Sequence, residues 1–211
     1  MKILFMGGTR FFGVHAVNAL VESGHEVTIA TRGITSGTLS DKVKRLIFDR
    51  NERKSIKAIL LANHYDVIYD NICYAPDDVK NVLDFITDEK YIYTSTTAVY
   101  EPHHNVVEED FDPLSYPLKF GKREEFEYAI GKRYCERVAF GCYNKPVTAV
   151  RIPIVLGTDD YTKRLYFYIE KILKGIPFYM DNPDEEMSFI SSDEAGRFLS
   201  FLAEKKLYRG Y

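Results

Sequence analysis

The sequence predicts an α/β fold, a doubly wound parallel sheet with helices on both faces. Three observations point there. Short apolar runs alternate with amphipathic stretches along the whole chain, the pattern of strand–helix–strand units. The runs "KILFM" and "DVIYDNI" are almost continuously apolar, as strands covered on both faces must be. A glycine cluster, "FMGGTRFFG" at 5–13, separates the first run from the first amphipathic stretch.

Each element follows from its own pattern. "KILFMG" (2–7) is a buried strand. "RFFGVHAVNALVESG" (10–24) carries apolar residues at helical spacing, with Gly24 as its stop. "HEVTIATR" (25–32) and "VKRLIFD" (43–49) are the next strands. "NERKSIKAILLANH" (51–64) is helical, with Asn51 as a candidate N-cap. "YDVIYDNI" (65–72) is a strand, and "PDDVKNVLDFIT" (76–87) is a helix opened by Pro76 and Asp77. "KYIYTST" (90–96) is the fifth strand. The irregular stretch 101–122 has a length usual for functional or mobile loops. A long helix is expected over 123–142, a strand running into a loop over 146–157, and two further helices over 161–175 and 191–206.

Composition bounds the function. The chain has 211 residues, 45% of them hydrophobic and 28% charged, as in ordinary globular proteins. A net charge of −3 argues against a nucleic-acid binder that relies on a basic surface. The three cysteines, Cys73, Cys135 and Cys142, form no C-x-x-C pair and sit in apolar or helical stretches. They read as buried free thiols of a reducing compartment. "MKILFMGG" enters a strand at once and lacks a leader's features. No apolar run approaches a membrane span, so the expectation is a cytoplasmic protein without membrane contact.

The glycine cluster is the first candidate site. A bound phosphate needs a backbone that turns sharply, admits oxygens closely and feeds a helix N-terminus. Gly7, Gly8 and Gly13 stand where such a dinucleotide turn wants them, with Thr9, Arg10, Phe11 and Phe12 between. A plain strand-to-helix turn is the simpler alternative. An acid at the end of the second strand would select NAD, and a base the 2′-phosphate of NADP. This chain offers Thr31 and Arg32 and no acid, so the expected cofactor is NADP, with NAD as the alternative. Asp49 and Arg50 fall near where an adenine would lie. Asp49 could accept from the adenine amino group or cap the following helix.

The second candidate site is Tyr128 with Lys132. Among sixteen tyrosines only Tyr128 has a lysine four residues later, on the same face of a helix. A tyrosine that moves protons near neutrality needs its ordinary pKa of about 10 brought down, and a nearby ammonium favours the phenolate. An exposed tyrosine beside a solvated lysine would look the same. Position favours chemistry, because the fifth strand runs into the hydroxyl-rich "YTSTTAVY" (93–100), where ligands of open parallel sheets bind. Thr96 or Ser95 could donate to a substrate carbonyl while Tyr128 transfers the proton.

The motifs "GGTRFFG", "DNICYA", "YTSTTAVY", "YAIGK", "RIPIVLG" and "SFISSDEA" together resemble the short-chain dehydrogenase/reductases. The likeness is to their extended or atypical branch, the NAD-dependent epimerase/dehydratase family. The wording "GGTRF" is most similar to a subgroup that includes chloroplast stem-loop-binding proteins. The resemblance implies a Rossmann-like domain over 1–157. It also implies a partial substrate lobe over 158–211, interleaved with the same core and cut short at "LYRGY". It places Gly7, Arg10 and Gly13 on the family's G-x-x-G-x-x-G, with the middle glycine replaced. It assigns Thr96, Tyr128 and Lys132 as catalytic, and Asn71, Ile72 and Cys73 as facing the cofactor. Thr94, Ser95, Ile152, Pro153 and Ile154 would lie along its nicotinamide side. Ile154 replaces an asparagine that binds substrate in nucleotide-sugar epimerases, and Glu101 replaces a glycine. The expected activity is that of an oxidoreductase or epimerase/dehydratase on a sugar-like or small carbonyl or alcohol substrate. A dinucleotide sensor or RNA binder without turnover is the alternative, and family analogy implies a homodimer.

Overall fold

The structure, a computed structural model, describes residues 1–205 and Gly210. Lys206, the last residue of the expected terminal helix, lies outside the described residues, as do Leu207, Tyr208, Arg209 and Tyr211 of "LYRGY".

Six parallel strands form the central sheet: β1 (Lys2–Met6), β2 (Glu26–Thr31), β3 (Lys44–Ile47), β4 (Val67–Asp70), β5 (Lys90–Thr96) and β6 (Val147–Ile152). Their order is β3-β2-β1-β4-β5-β6. The chain winds outward from β1 in one direction and from β4 in the other, so the carboxyl ends of β1 and β4 flank the switch point where such sheets bind ligands. The helices are α1 (Phe12–Glu22), α2 (Arg53–Ala62), α3 (Pro76–Leu83), α4 (Tyr128–Cys142), α5 (Arg164–Leu173) and α6 (Ser192–Glu204).

Alternation along β1 divides the core. Ile3 and Phe5 meet Val17 and Leu20 of α1 and Leu199 and Ala203 of α6. Leu4 and Met6 join the opposite cluster with Ile56 of α2, Val79 of α3 and Val138 of α4. Both sheet faces are covered, as the apolar strands demand.

The structure departs from the sequence reading at four places. The long helix expected from 123 starts only at Tyr128, after a separate 3-10 turn, Arg123–Glu125. The strand expected over 146–157 breaks at Pro153, which cannot donate a ladder hydrogen bond. Beyond it β7 (Ile154–Leu156) pairs in parallel with β8 (Phe189–Ser191) as a separate sheet. Asn51 does not cap α2, whose N-cap is Glu52 with no side-chain bond. Cys73 and Cys135 are buried free thiols, but Cys142 at the end of α4 is exposed.

Candidate active site

A cleft of about 780 Å³ opens at the carboxyl ends of β1, β2 and β4. Its floor is the turn after β1. Gly7 and Gly8 adopt φ of +94° and +85°, a region that side-chain-bearing residues rarely enter. A Cβ on Gly8 would stand 2.8 Å from Val17 Cγ2 and 2.9 Å from the Phe5 ring. A Cβ on Gly13 would stand 2.8 Å from Asn71 Nδ2 and 3.0 Å from Gly8 Cα. The backbone here is packed as closely as a phosphate-binding turn requires. Phe11, at φ +51°, caps α1 without a side-chain bond, so the helix start is left open to an anion. These features fit a dinucleotide.

The turn residues Thr9, Arg10, Phe11 and Phe12, together with Thr31, Arg32, Asp49, Asn71 and Ile72, all line this cleft. Arg10 lies over the ring of Tyr161 at 5.2 Å. Thr9 Oγ1 and Thr35 Oγ1 are 2.7 Å apart, which ties the turn to the loop after β2. The Thr31 hydroxyl accepts from Gly33 N at 3.2 Å, and Arg32 is exposed at the rim. Asp49 Oδ1 accepts from Asn51 N at 2.8 Å. This is a local turn and not a helix cap.

Arg50 has carboxylate partners of its own. Its residue lines the cleft, but its guanidinium forks onto Asp70 at 2.8 and 2.6 Å and stands 3.0 Å from Asp78. Asp70, fully buried, also accepts from the Tyr91 hydroxyl at 2.8 Å. Arg50 is thus engaged in a structural cluster, with one N–H of each terminal nitrogen donated to Asp70.

The second constellation adjoins the first through Tyr74. Lys132 is 2% exposed, and its ammonium donates to the carbonyls of Cys73 at 2.5 Å and Thr94 at 2.6 Å. It lies 4.8 Å from the Tyr74 ring centre and 5.7 Å from that of Tyr128. Among the described residues no carboxylate comes within ion-pairing range of it. Two carbonyls take two of its three donors, and the third remains for a ligand. Tyr128, at the first turn of α4, is 53% exposed, so its phenol can meet a substrate. Burial pushes the Tyr74 phenol up, against the pull of Lys132, which keeps Tyr74 a neutral platform.

The hydroxyls of β5 divide between its faces. The Thr94 hydroxyl donates to Asn71 Oδ1 at 2.7 Å and so orients the end of β4. Thr96 Oγ1 accepts from Ala98 N at 3.2 Å, leaving its proton to donate. Ser95 is a correction. It is buried, and its hydroxyl donates to Glu136 Oε1 at 2.6 Å. Glu136 in turn pairs with Arg151 at 2.6 Å. Ser95 therefore belongs to the packing of α4 and does not face a ligand. Ile152, Pro153 and Ile154 carry the chain from the main sheet to β7 and do not line the cleft.

Sequence reasoning missed Tyr74, Asp77, Asn81, Lys122, Arg123 and Tyr161, all of which line the cleft. One signal was present: "FGKREE" sets two adjacent cations just before the Tyr128 helix.

No protein-family model matches the chain. It is 28% identical over 230 aligned positions to the chloroplast stem-loop binding protein of 41 kDa b from Arabidopsis thaliana, covering 99% of this chain and 57% of that one. The chain thus spans little more than half the length of that relative. Among solved structures it superposes on WbmH of Bordetella bronchiseptica, in complex with NAD+, with a TM-score of 0.74 and 14% identity, over 100% of this chain and 74% of that one. It superposes on a Thermus thermophilus UDP-glucose 4-epimerase in complex with NAD with a TM-score of 0.69 and 17% identity, over 100% and 76% of the two chains. The expected fold is borne out by these likenesses.

Proposed function

We propose that this chain binds a nicotinamide dinucleotide and carries the proton-transfer site of an oxidoreductase or epimerase/dehydratase-type enzyme. One observation carries the reading: a buried lysine without a carboxylate partner, beneath an exposed tyrosine, adjoins a glycine-built anion cleft. A buried cation held only by carbonyls is costly unless a further partner completes it. A ribose hydroxyl and a phenolic oxygen bearing developing charge are such partners.

In this reading Gly7, Gly8 and Gly13 admit the pyrophosphate, and Asn71 and Ile72 line its path. Lys132 holds the nicotinamide ribose. Thr96 donates to a substrate carbonyl, and Tyr128 gives or takes the proton at that oxygen. The dinucleotide, when bound, supplies the hydride chemistry. We assign NADP as the preferred cofactor, because Arg32 follows the end of β2, Arg10 lines the same cleft, and no acid stands at Thr31 or Arg32 to receive a ribose 2′-hydroxyl. The substrate would be a sugar-like or small carbonyl or alcohol compound.

Calorimetric titration with NADPH, NADP⁺, NADH and NAD⁺ tests the reading. Binding of NADPH ahead of NADH is expected. Binding of none of the four would sink it, and preference for NADH would remove the role given to Arg32. With a panel of carbonyl substrates, Tyr128→Phe should lower turnover by about 10²-fold or more, the scale of a lost general acid. Unchanged turnover would take Tyr128 out of the mechanism.

A second reading keeps the cleft and drops the turnover. The name of the Arabidopsis relative favours it, since that protein is described as binding a stem-loop. A mobility shift with a structured RNA that NADPH did not relieve would support it.

A further inference from the structure

We propose that Arg123, carried on the ring of Tyr74, grips the diphosphate of the bound dinucleotide and closes the cleft from the α4 side. The inference rests on the dinucleotide reading above.

The Arg123 guanidinium lies 4.2 Å from the Tyr74 ring centre, on the same ring that stands 4.8 Å from the Lys132 ammonium. Among the described residues it has no carboxylate in ion-pairing range. A guanidinium stacked on a ring uses its face for the ring and keeps its N–H donors along the edge. Those donors fit the paired oxygens of a diphosphate. Arg50 shows the contrast, a cleft-wall arginine paired with two carboxylates, Asp70 and Asp78.

The backbone that presents Arg123 is fixed. Gly121 N donates to Asp77 Oδ1 at 3.0 Å, and Asp77 N donates to Gly121 O at 3.2 Å. Lys122 N donates to Glu125 Oε1 at 2.8 Å. Tyr74 is fixed as well, its N–H donating to Asp78 Oδ2 at 2.8 Å. A Cβ on Gly131 would come within 2.6 Å of the Tyr74 carbonyl, so α4 packs directly on this backbone. The cleft thus carries a matched pair of arginine-on-tyrosine contacts, Arg10 on Tyr161 at the glycine turn and Arg123 on Tyr74 near α4. Both arginines line the same cavity. Lys122 adds a further cation, and Glu124 is the one carboxylate of this segment that faces the same space.

Calorimetry on the whole chain tests this, with ADP-ribose and NADPH as probes at two salt concentrations. Arg123→Gln should weaken both by about tenfold or more, the range of a lost charge-assisted bond, and flatten the salt dependence. Tyr74→Phe should bind like wild type, because the ring is the platform. Tyr74→Leu should bind as weakly as Arg123→Gln, and the double variant no more weakly than either. Arg123 is exposed, so Arg123→Gln should fold, and circular dichroism checks it. Equal affinity of Arg123→Gln and wild type for both probes would overturn the grip while leaving the dinucleotide reading intact. Weakening with NADPH but not ADP-ribose would also overturn it. Failure of the wild type to bind either probe would sink the dinucleotide reading and this grip together.

Discussion

Ser95 and Thr96 are adjacent hydroxyls with different work, and the alternation of a strand explains it. Tyr91, Tyr93 and Ser95 share the face of β5 that meets α4, whereas Thr94 and Thr96 share the other. The sequence shows a run of hydroxyls; it does not show which of them Glu136 will claim from forty-one residues away. Nor does it show that Arg50 will pair with Asp70, twenty residues distant. The glycine turn was legible because its constraint is local: three glycines between a strand and a helix. Two predictions belong at this scale. Ser95→Ala should cost about 1–3 kcal/mol of stability, the cost of an unmade buried bond, and leave dinucleotide affinity unchanged. Urea denaturation and calorimetry would separate the two effects, and lost affinity at intact stability would return Ser95 to the site. Gly13→Ala should abolish measurable dinucleotide binding, because its Cβ would press on both Asn71 and Gly8 and shift the turn that meets the phosphates.

Elements were legible where their pattern is internal. The strands of the main sheet are apolar runs, and α3 begins at Pro76 as its sequence announces. The sheet of β7 and β8 was not legible. Each strand has three residues, and they pair across more than thirty intervening residues. The start of α4 was overextended because "REEFE" has good helix formers, which the 3-10 turn diverts toward the cleft. Between elements, Asp84 at the end of α3 acts as a tie. It accepts from Lys80, Arg53 and the Tyr143 hydroxyl, each at 2.6 Å, joining α2, α3 and the end of α4. Burial pushes this carboxyl upward, but the three bonds outweigh it and hold its pKa at about 2, below the ordinary 3.8. A carboxylate with a lowered folded-state pKa stabilises above its unfolded value and loses that stabilisation as pH falls. Asp84→Asn should therefore denature at lower urea than wild type at pH 7. The gap should narrow as pH drops from about 4 toward 2. A gap that did not change with pH would mean that the carboxylate's charge contributes nothing.

At the scale of the whole molecule, burial is uneven. The main sheet is covered on both faces, and α6 closes one of them, with Lys90 of β5 donating to the carbonyls of Ala203 and Lys205. The stretch from α5 to β8 is different. None of the residues of α5 is buried, and Ile172 and Leu173 are 66% and 80% exposed. No helix among the described residues is long and apolar enough to cross a membrane. An amphipathic helix that buries nothing takes little stability from tertiary packing, and a helix of ten residues is marginal alone. Its amides should then open by local fluctuation, while those of β1, β4 and β5 open only on global unfolding. Hydrogen exchange followed by mass spectrometry at pH 7 should show peptides of 164–173 exchanging at least about a hundredfold faster than those of 90–96. The equivalent difference in opening free energy is about 3 kcal/mol. Equal protection would mean that α5 is covered in solution. Addition of NADPH should raise protection in 5–13 and 121–132, which carry the glycine turn, Arg123 and Lys132, and leave 164–173 unchanged. The pattern would thereby separate the part of the chain that holds a dinucleotide from the part whose apolar face the described residues leave open.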